Sequence, residues 1–319
     1  MQELQWYPGH MTKARRMMEE NKKLVDLVIE ILDARIPISS RNPDIDTLTA
    51  GKSRIVILAK TDLADPAATA KFLSWFAAQG VTPIAVDARQ KKSLEKIRAA
   101  IQTACREKME RDRKRGIQNR PVRAMVLGIP NVGKSTFINS MAGRASAKTG
   151  NKPGVTKGKQ WISVTFRQGR ETLNLELLDT PGILWPKFAD RSVGEKLALC
   201  GSIREEILDE KDLACCLLSI LLADYPEELN ARYAAEGEDF RLVTGEALPE
   251  ADHTVVDEKE AALHRILERI AKNRNFLAKG QTYDAGRAAH LVLDEFRSGA
   301  IGRITLDHVP APAEKAKEQ

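Results

Sequence analysis

Residues 128 to 136 are GIPNVGKST, with glycine at 128 and 133 followed at once by Lys134 and Ser135. The spacing G-x-x-x-x-G-K-S/T gathers flexible backbone and one cation around a small anion. Glycine lets the chain turn tightly enough for successive amides to converge on a phosphate, and a helix starting there adds the positive end of its dipole. Lys134 would neutralise the outer phosphates of a nucleotide and the Ser135 hydroxyl would ligate magnesium, while Asn131, Val132, Gly133 and Thr136 complete the cradle. The context fits, because an apolar strand ends near Leu127 and the helical stretch TFINSMAG follows.

Further along, DTPG closes another apolar run. There Asp179 suits the carboxylate that holds magnesium through water, and Gly182 the amide that senses a terminal phosphate. Between the two lies KPGVTKG, where Thr156 could fold over the phosphate and bring its hydroxyl to the metal. A base-reading N-K-x-D is absent after these motifs but has a counterpart before them. LAKTDLAD supplies Lys60, Thr61 and Asp62, and the carboxylate can pair with the two ring-edge donors of guanine, which adenine lacks. A buried polar mismatch costs roughly 1–3 kcal/mol, so Asp62 selects GTP over ATP. The next strand ends in VDAR, placing Asp87 and the Ala88 amide where the guanine carbonyl would sit. AKTDL also fits a plain strand end with a helix-capping aspartate.

These residues need a scaffold. Short apolar runs, VDLVIEILDA, RIVILA, PIAVDA and RAMVLGI, alternate with helical patterns, the signature of a parallel sheet covered on both faces. KQWISVTF and TLNLELLDTPG add two strands joined by a turn at Arg167 to Arg170. The expected fold is α/β: a mostly parallel six-stranded sheet with helices on both faces, followed by a smaller all-helical domain. The boundaries expected are 1–189, 190–307 and a disordered tail over 308–319.

At 319 residues, 43% hydrophobic, the chain is long enough for two packed domains. The formal charge of +6 suits a polyanionic partner. Four cysteines without metal spacing indicate reduced thiols, and no apolar run is long enough to span a bilayer, so a cytoplasmic protein with no membrane partner is expected.

The order of the motifs, base elements first and phosphate and switch elements after, is a circular permutation of the common GTPase. With WYPGHMTKA at 6–14, DARIPISSRNP at 33–43 and RAAHLVLDEFRSGAIGRITLD at 287–307, nearly the whole chain resembles the circularly permuted GTPases of ribosome assembly, above all the RbgA/YlqF family. The resemblance implies slow GTP hydrolysis to GDP, Mg2+ as cofactor, a large ribosomal subunit precursor and its rRNA as partner, and a monomer. It also associates Asn131 with K+ and assigns His10, in the W-Y-P-G-H-M segment, the positioning of the attacking water. A Ras-like enzyme would use a Gln for that task, where this chain has Ile183. Ala59 departs from the family's Asn ahead of Lys60 and predicts weaker nucleotide affinity with unchanged base choice.

In AALHRILERIAKNRNFLAKG, the apolar stripe of Leu263, Ile266, Leu267 and Ile270 lies opposite Arg265, Arg269 and Lys272. Arg274, Asn275 and Phe276 follow, so this helix is the expected RNA face. A signalling or metabolic GTPase with a protein effector, or an RNA-binding factor using GTP only as a structural ligand, would share the nucleotide motifs.

Overall fold

The computed structural model describes residues 16, 18–87, 92–117, 120–143, 160–168, 171–180, 182, 190–203, 209–243, 255–278, 280 and 282–310. The chain forms two units, one of Met1–Val193 with Asp307–Gln319 and one of Gly194–Leu306. The sequence reading placed its boundaries after 189 and 307, whereas the contacts carry the first unit to Val193 and resume it at Asp307. The segment after 306 belongs with the first unit: Asp307 accepts bonds from the Ile38 and Ser39 amides (2.9 and 2.8 Å) and from the Ser39 hydroxyl (2.8 Å), and Val309 packs on that unit's core.

The first unit is built on β1 (Leu27–Asp33), β2 (Ser53–Ala59), β3 (Thr82–Ala85), β4 (Val122–Leu127), β5 (Gln160–Gln168) and β6 (Glu171–Asp179). They form one sheet in the order β3-β2-β1-β4-β6-β5, parallel except for β5, which pairs antiparallel to β6 at the edge. Every residue of β1 is buried, as expected of a central strand covered on both faces. Helices accompanying the sheet are α1 (Ile45–Leu48), α2 (Pro66–Ala78), α3 (Lys92–Ala104), α4 (Arg106–Lys114) and α5 (Lys134–Ala142), and residues 18–22 ahead of β1 are helical as well. The long helical run after the third strand is thus two helices, broken at Cys105.

One sheet face is not uniformly apolar. Val28, Met125, Leu127 and Leu178 pack with Met18, Ile45 and Leu48, while Leu32, Val56 and Leu58 pack with Phe72 and Phe76 of α2. Between the two clusters stands Glu30, bonded to Arg54 (2.5 Å) and 3.7 Å from Arg41. Burial pushes its carboxyl above the usual range, against the pull of the two arginines.

At the other end of β1, Asp33 is fully buried and holds two cations. Arg35 donates from Nε (3.0 Å) and Nη2 (2.8 Å), and the Lys60 ammonium lies 2.9 Å away. Burial alone would raise this carboxyl, but Arg35 and Lys60 together hold it well below the ordinary range.

The second unit is helical, as expected. It contains most of α6 (Arg191–Leu199), then α7 (Glu210–Asp224), α8 (Pro226–Tyr233), α9 (Phe240–Val243), α10 (Val255–Asn273) and α11 (Ala285–Ser298). The apolar run at 213–223 is the buried side of α7, capped by Asp209, which accepts from the Lys211 amide at 2.8 Å. The stripe of Leu263, Ile266, Leu267 and Ile270 on α10 is buried, and α11 contributes Val292, Leu293 and Phe296. All four cysteines remain thiols. No helix among the described residues is long and apolar enough to cross a membrane.

Removing one partner of a buried ion pair leaves the other charge uncompensated, at a cost of about 3–5 kcal/mol. Asp33→Ala is therefore expected to lower the unfolding free energy in urea by about that amount at pH 7. Since the folded carboxyl is depressed, its contribution is complete above the unfolded value of about 3.9 and is lost as pH falls further. Parent and variant should accordingly converge in stability in acid.

Candidate active site

β4 ends at Leu127 and the chain turns through the glycine-rich loop into α5. The turn needs glycine at its first position: at Gly128 the backbone has φ +154°, and a Cβ there would lie 2.6 Å from the carbonyl oxygen of Ile31. Asn131 has a left-handed φ of 58°, and Gly133, at the start of α5, has φ +106°. Val132 is buried, Ser135 half-buried and Thr136 exposed. Lys134 folds back over the loop, its ammonium donating to the carbonyls of Gly128 (3.1 Å) and Ile129 (3.0 Å). Burial pushes its pKa down to about 8, with Asp179 opposing the shift.

Asp179 closes β6, is 1% exposed, and lies where its carboxylate acts on the Lys134 ammonium. Thr180 fixes the following turn by donating to the Val126 carbonyl at 2.7 Å. Gly182 rests directly on the phosphate loop. A Cβ there would come within 2.7 Å of the Pro130 nitrogen and 2.9 Å of the Lys134 ammonium, so no side chain fits.

β1, β2, β3, β4 and β6 run parallel, so their C-terminal ends share one edge, with β1 between β2 and β4. β2 delivers Lys60, Thr61 and Asp62 there, all half-buried. A Cβ built on Gly133 would lie 3.9 Å from the Cβ of Ala59, which puts the base-reading segment against the phosphate loop although some 70 residues separate them in the chain. Lys60 adopts a left-handed φ of 58° and is held by Asp33. Helix α2 is capped by Asp65, which accepts from the Ala67 amide at 2.7 Å, so Asp62 is not its cap. Asp87, half-buried beyond β3, has its carbonyl bonded by the Ser93 hydroxyl at 2.8 Å.

Residues 123–241 match a family model described as 50S ribosome-binding GTPase. A ribosome biogenesis GTPase A from Priestia megaterium is 44% identical over 313 residues, covering 98% of this chain and 99% of that protein. The chain belongs to the ribosome biogenesis GTPase A family. A family member from Bacillus cereus is 41% identical, covering 95% of this chain and 93% of its own length. Among solved structures, that of GNP-bound YlqF from T. maritima is 25% identical and covers 93% of this chain and 98% of that one, with a TM-score of 0.57.

As a ribosome biogenesis GTPase the chain binds GTP and GDP and hydrolyses GTP on a circularly permuted domain. Of the residues expected at the nucleotide site, Lys60, Thr61, Asp62, Asp87, Asn131, Val132, Gly133, Lys134, Ser135, Thr136, Asp179 and Gly182 are among the described residues. His10, Ala88 and Thr156 lie outside the described residues. Mg2+ takes hard oxygen donors, and the buried Asp179 carboxylate with the Ser135 hydroxyl at the start of α5 is a suitable pair. When bound, the ion neutralises charge on the outer phosphate oxygens. Asp33 and Arg35 were not singled out as functional from the sequence. Their signal was a charged residue closing a largely apolar strand, which is costly unless paired.

Phosphates beside Lys134 favour its charged form, so bound nucleotide raises a pKa that is about 8 without it. The bound state then holds more protons, and affinity falls as pH rises above that value. Calorimetry at pH 8.5 in buffers of different ionisation enthalpy should show net proton uptake on GDP binding, and this uptake should vanish in Lys134→Met.

Proposed function

We propose that this GTPase acts in maturation of the large ribosomal subunit, binding a precursor particle through rRNA in its GTP state and leaving after hydrolysis. The observation carrying the GTP-switch part is the contact of the base-reading segment at Ala59 with the phosphate loop at Gly133, which gives one nucleotide both sets of contacts. The partner is supported by the relatives, named ribosome biogenesis GTPase A. A cytoplasmic, monomeric protein accords with this role.

In this reading Asp62 selects guanine, Asp87 and Ala88 complete the base site, and Asn131 to Thr136 hold the phosphates. Lys134 gives up the carbonyls of Gly128 and Ile129 for phosphate oxygens. Ser135, Asp179 and Thr156 serve Mg2+, the amide of Gly182 meets the terminal phosphate, and Asn131 serves K+. Ile183 cannot hydrogen-bond water, so His10 is the residue proposed to orient the nucleophile. Its supply from a separate N-terminal segment would account for hydrolysis that is slow until the particle is engaged.

The chain leaves the DTPG segment for the helical unit after Val193 and returns to the GTPase unit at Asp307. A switch that moves with the terminal phosphate therefore acts on a unit tethered at both ends, which is how nucleotide state would alter particle affinity.

Not all of the expected RNA face on α10 is open to RNA. Arg269 pairs with Glu238 at 2.5 Å, Arg274 donates to the Arg232 carbonyl at 2.6 Å and lies over the Tyr233 ring, and Arg287 covers Phe276 at 4.4 Å. Arg265 and Lys272 remain exposed beyond it.

Co-sedimentation with large-subunit precursors tests the reading: at least ten-fold tighter binding is expected with a non-hydrolysable GTP analogue than with GDP, and equal affinities would remove the switch. His10→Ala should keep GTP affinity while losing most of the particle-stimulated turnover. Stimulated turnover equal to the parent's would assign the water-orienting role elsewhere.

A further inference from the structure

Helix α4 contributes no buried residue, yet it occupies a defined place in the first unit. It lies along the edge of the sheet opposite the nucleotide, where Asp26, Ser53, Val122 and Thr172 mark the beginnings of β1, β2, β4 and β6. A strand the length of β4 puts this edge about 20 Å from the phosphate loop.

From Arg106 to Arg115 there are six basic and three acidic side chains. The acids are largely spent: Glu110 pairs with Arg106 at 3.1 Å and Asp112 with Lys108 at 3.2 Å, Lys108 also reaching Asp26. Among the described residues, Arg111, Arg113, Lys114 and Arg115 form no salt bridge, and all four are exposed. A helix C-terminus favours a cation in its last turn. That accounts for one or two of these, not for four within five positions.

Their surroundings are concave as well. One hollow of about 540 Å³ between α4 and the starts of β1 and β2 is lined by Lys52, Lys108, Arg111, Arg115 and Arg120 against the carboxylates of Asp26, Glu107 and Asp112. A second, of about 700 Å³ on the β6 side, is lined by Arg106, Lys108, Arg113 and Arg120 against Glu110 and Asp112, so cations outnumber acids in both. Among the described residues, neither is lined by an aromatic ring. Single-stranded RNA is usually held by stacking its bases on rings, whereas duplex RNA is held through phosphates and ribose hydroxyls. Guanidinium groups around an open, ring-free hollow match the second chemistry.

We propose that α4 and the adjoining start of the sheet form an RNA-binding surface for the phosphate backbone of a duplex, on the side of the GTPase unit away from the nucleotide. This rests on the reading of an RNA-containing partner and assigns it a second contact besides the helical unit. RNA held here leaves the nucleotide edge uncovered, so the protein can dock without blocking nucleotide entry.

The test uses the full chain with Arg111, Arg113, Lys114 and Arg115 all changed to Gln, and a second version with the three arginines changed to Lys. Probes are a protein-free 20-base-pair RNA duplex, a single strand of the same length, and the precursor particle. The Gln variant should bind the duplex roughly ten-fold or more weakly, with a log–log salt slope shallower by about 3. The Lys version should retain most of the binding, and GTP affinity and basal hydrolysis should stay unchanged in both. Duplex affinity equal to the parent's would overturn the proposal. So would a loss seen only with the single strand, or a loss seen only with the particle, which would point to an acidic protein. A parent that sediments with the particle but ignores the duplex would likewise overturn it and leave the broader reading standing, whereas a parent that ignores both would end both.

Discussion

The GTPase unit depends on one buried carboxylate. Asp33 ends the central strand between the two strands that deliver the base-reading and phosphate loops, and it holds Arg35 on one side and Lys60 on the other. Lys60 sits in a left-handed backbone conformation that costs a non-glycine residue of order 1 kcal/mol. The ion pair offsets that cost and fixes where the chain turns toward Asp62. A charged group at this point is expensive to bury unless paired, and once paired it permits few alternative arrangements of the loop beside it.

The phosphate loop shows the same economy of partners. Lys134 satisfies the carbonyls of its own loop, and Gly182 closes against the same ammonium. Nucleotide must displace this arrangement, so part of the gross attraction of the phosphates is offset by bonds already made. Ala59 faces Gly133 with a methyl group, which can offer the phosphate loop no hydrogen bond. Neither feature involves Asp62, the residue proposed to read the base.

All six strands were legible from the alternation of apolar runs with helical spacing, because a parallel sheet buried on both faces leaves little else those runs could be. The phosphate loop was legible because its glycines answer to backbone geometry: Gly128 has an oxygen where a Cβ would be. That the segment of Asp62 and the loop of Lys134 would face one nucleotide was the expectation from motif order, and the structure sets Ala59 beside Gly133. Less visible was what side chains do to one another across the chain. The break at Cys105 has no glycine or proline to announce it. Arg274 and Phe276 carry the right chemistry for RNA, but Tyr233, Arg232 and Arg287, distant in sequence, engage them. The charge run in α4 carries no sign in its periodicity of the hollows beside it.

Asp307 has a consequence for the way the two units are built together. Its carboxylate occupies the amides of Ile38 and Ser39 and the hydroxyl of Ser39, a few residues from Asp33. The helical unit is thus topologically an insert, not an appendage: cutting the chain ahead of Asp307 would strip an anchor from the loop that follows the central strand. An engineered minimal G domain would need the closing peptide from Asp307 onward restored to it.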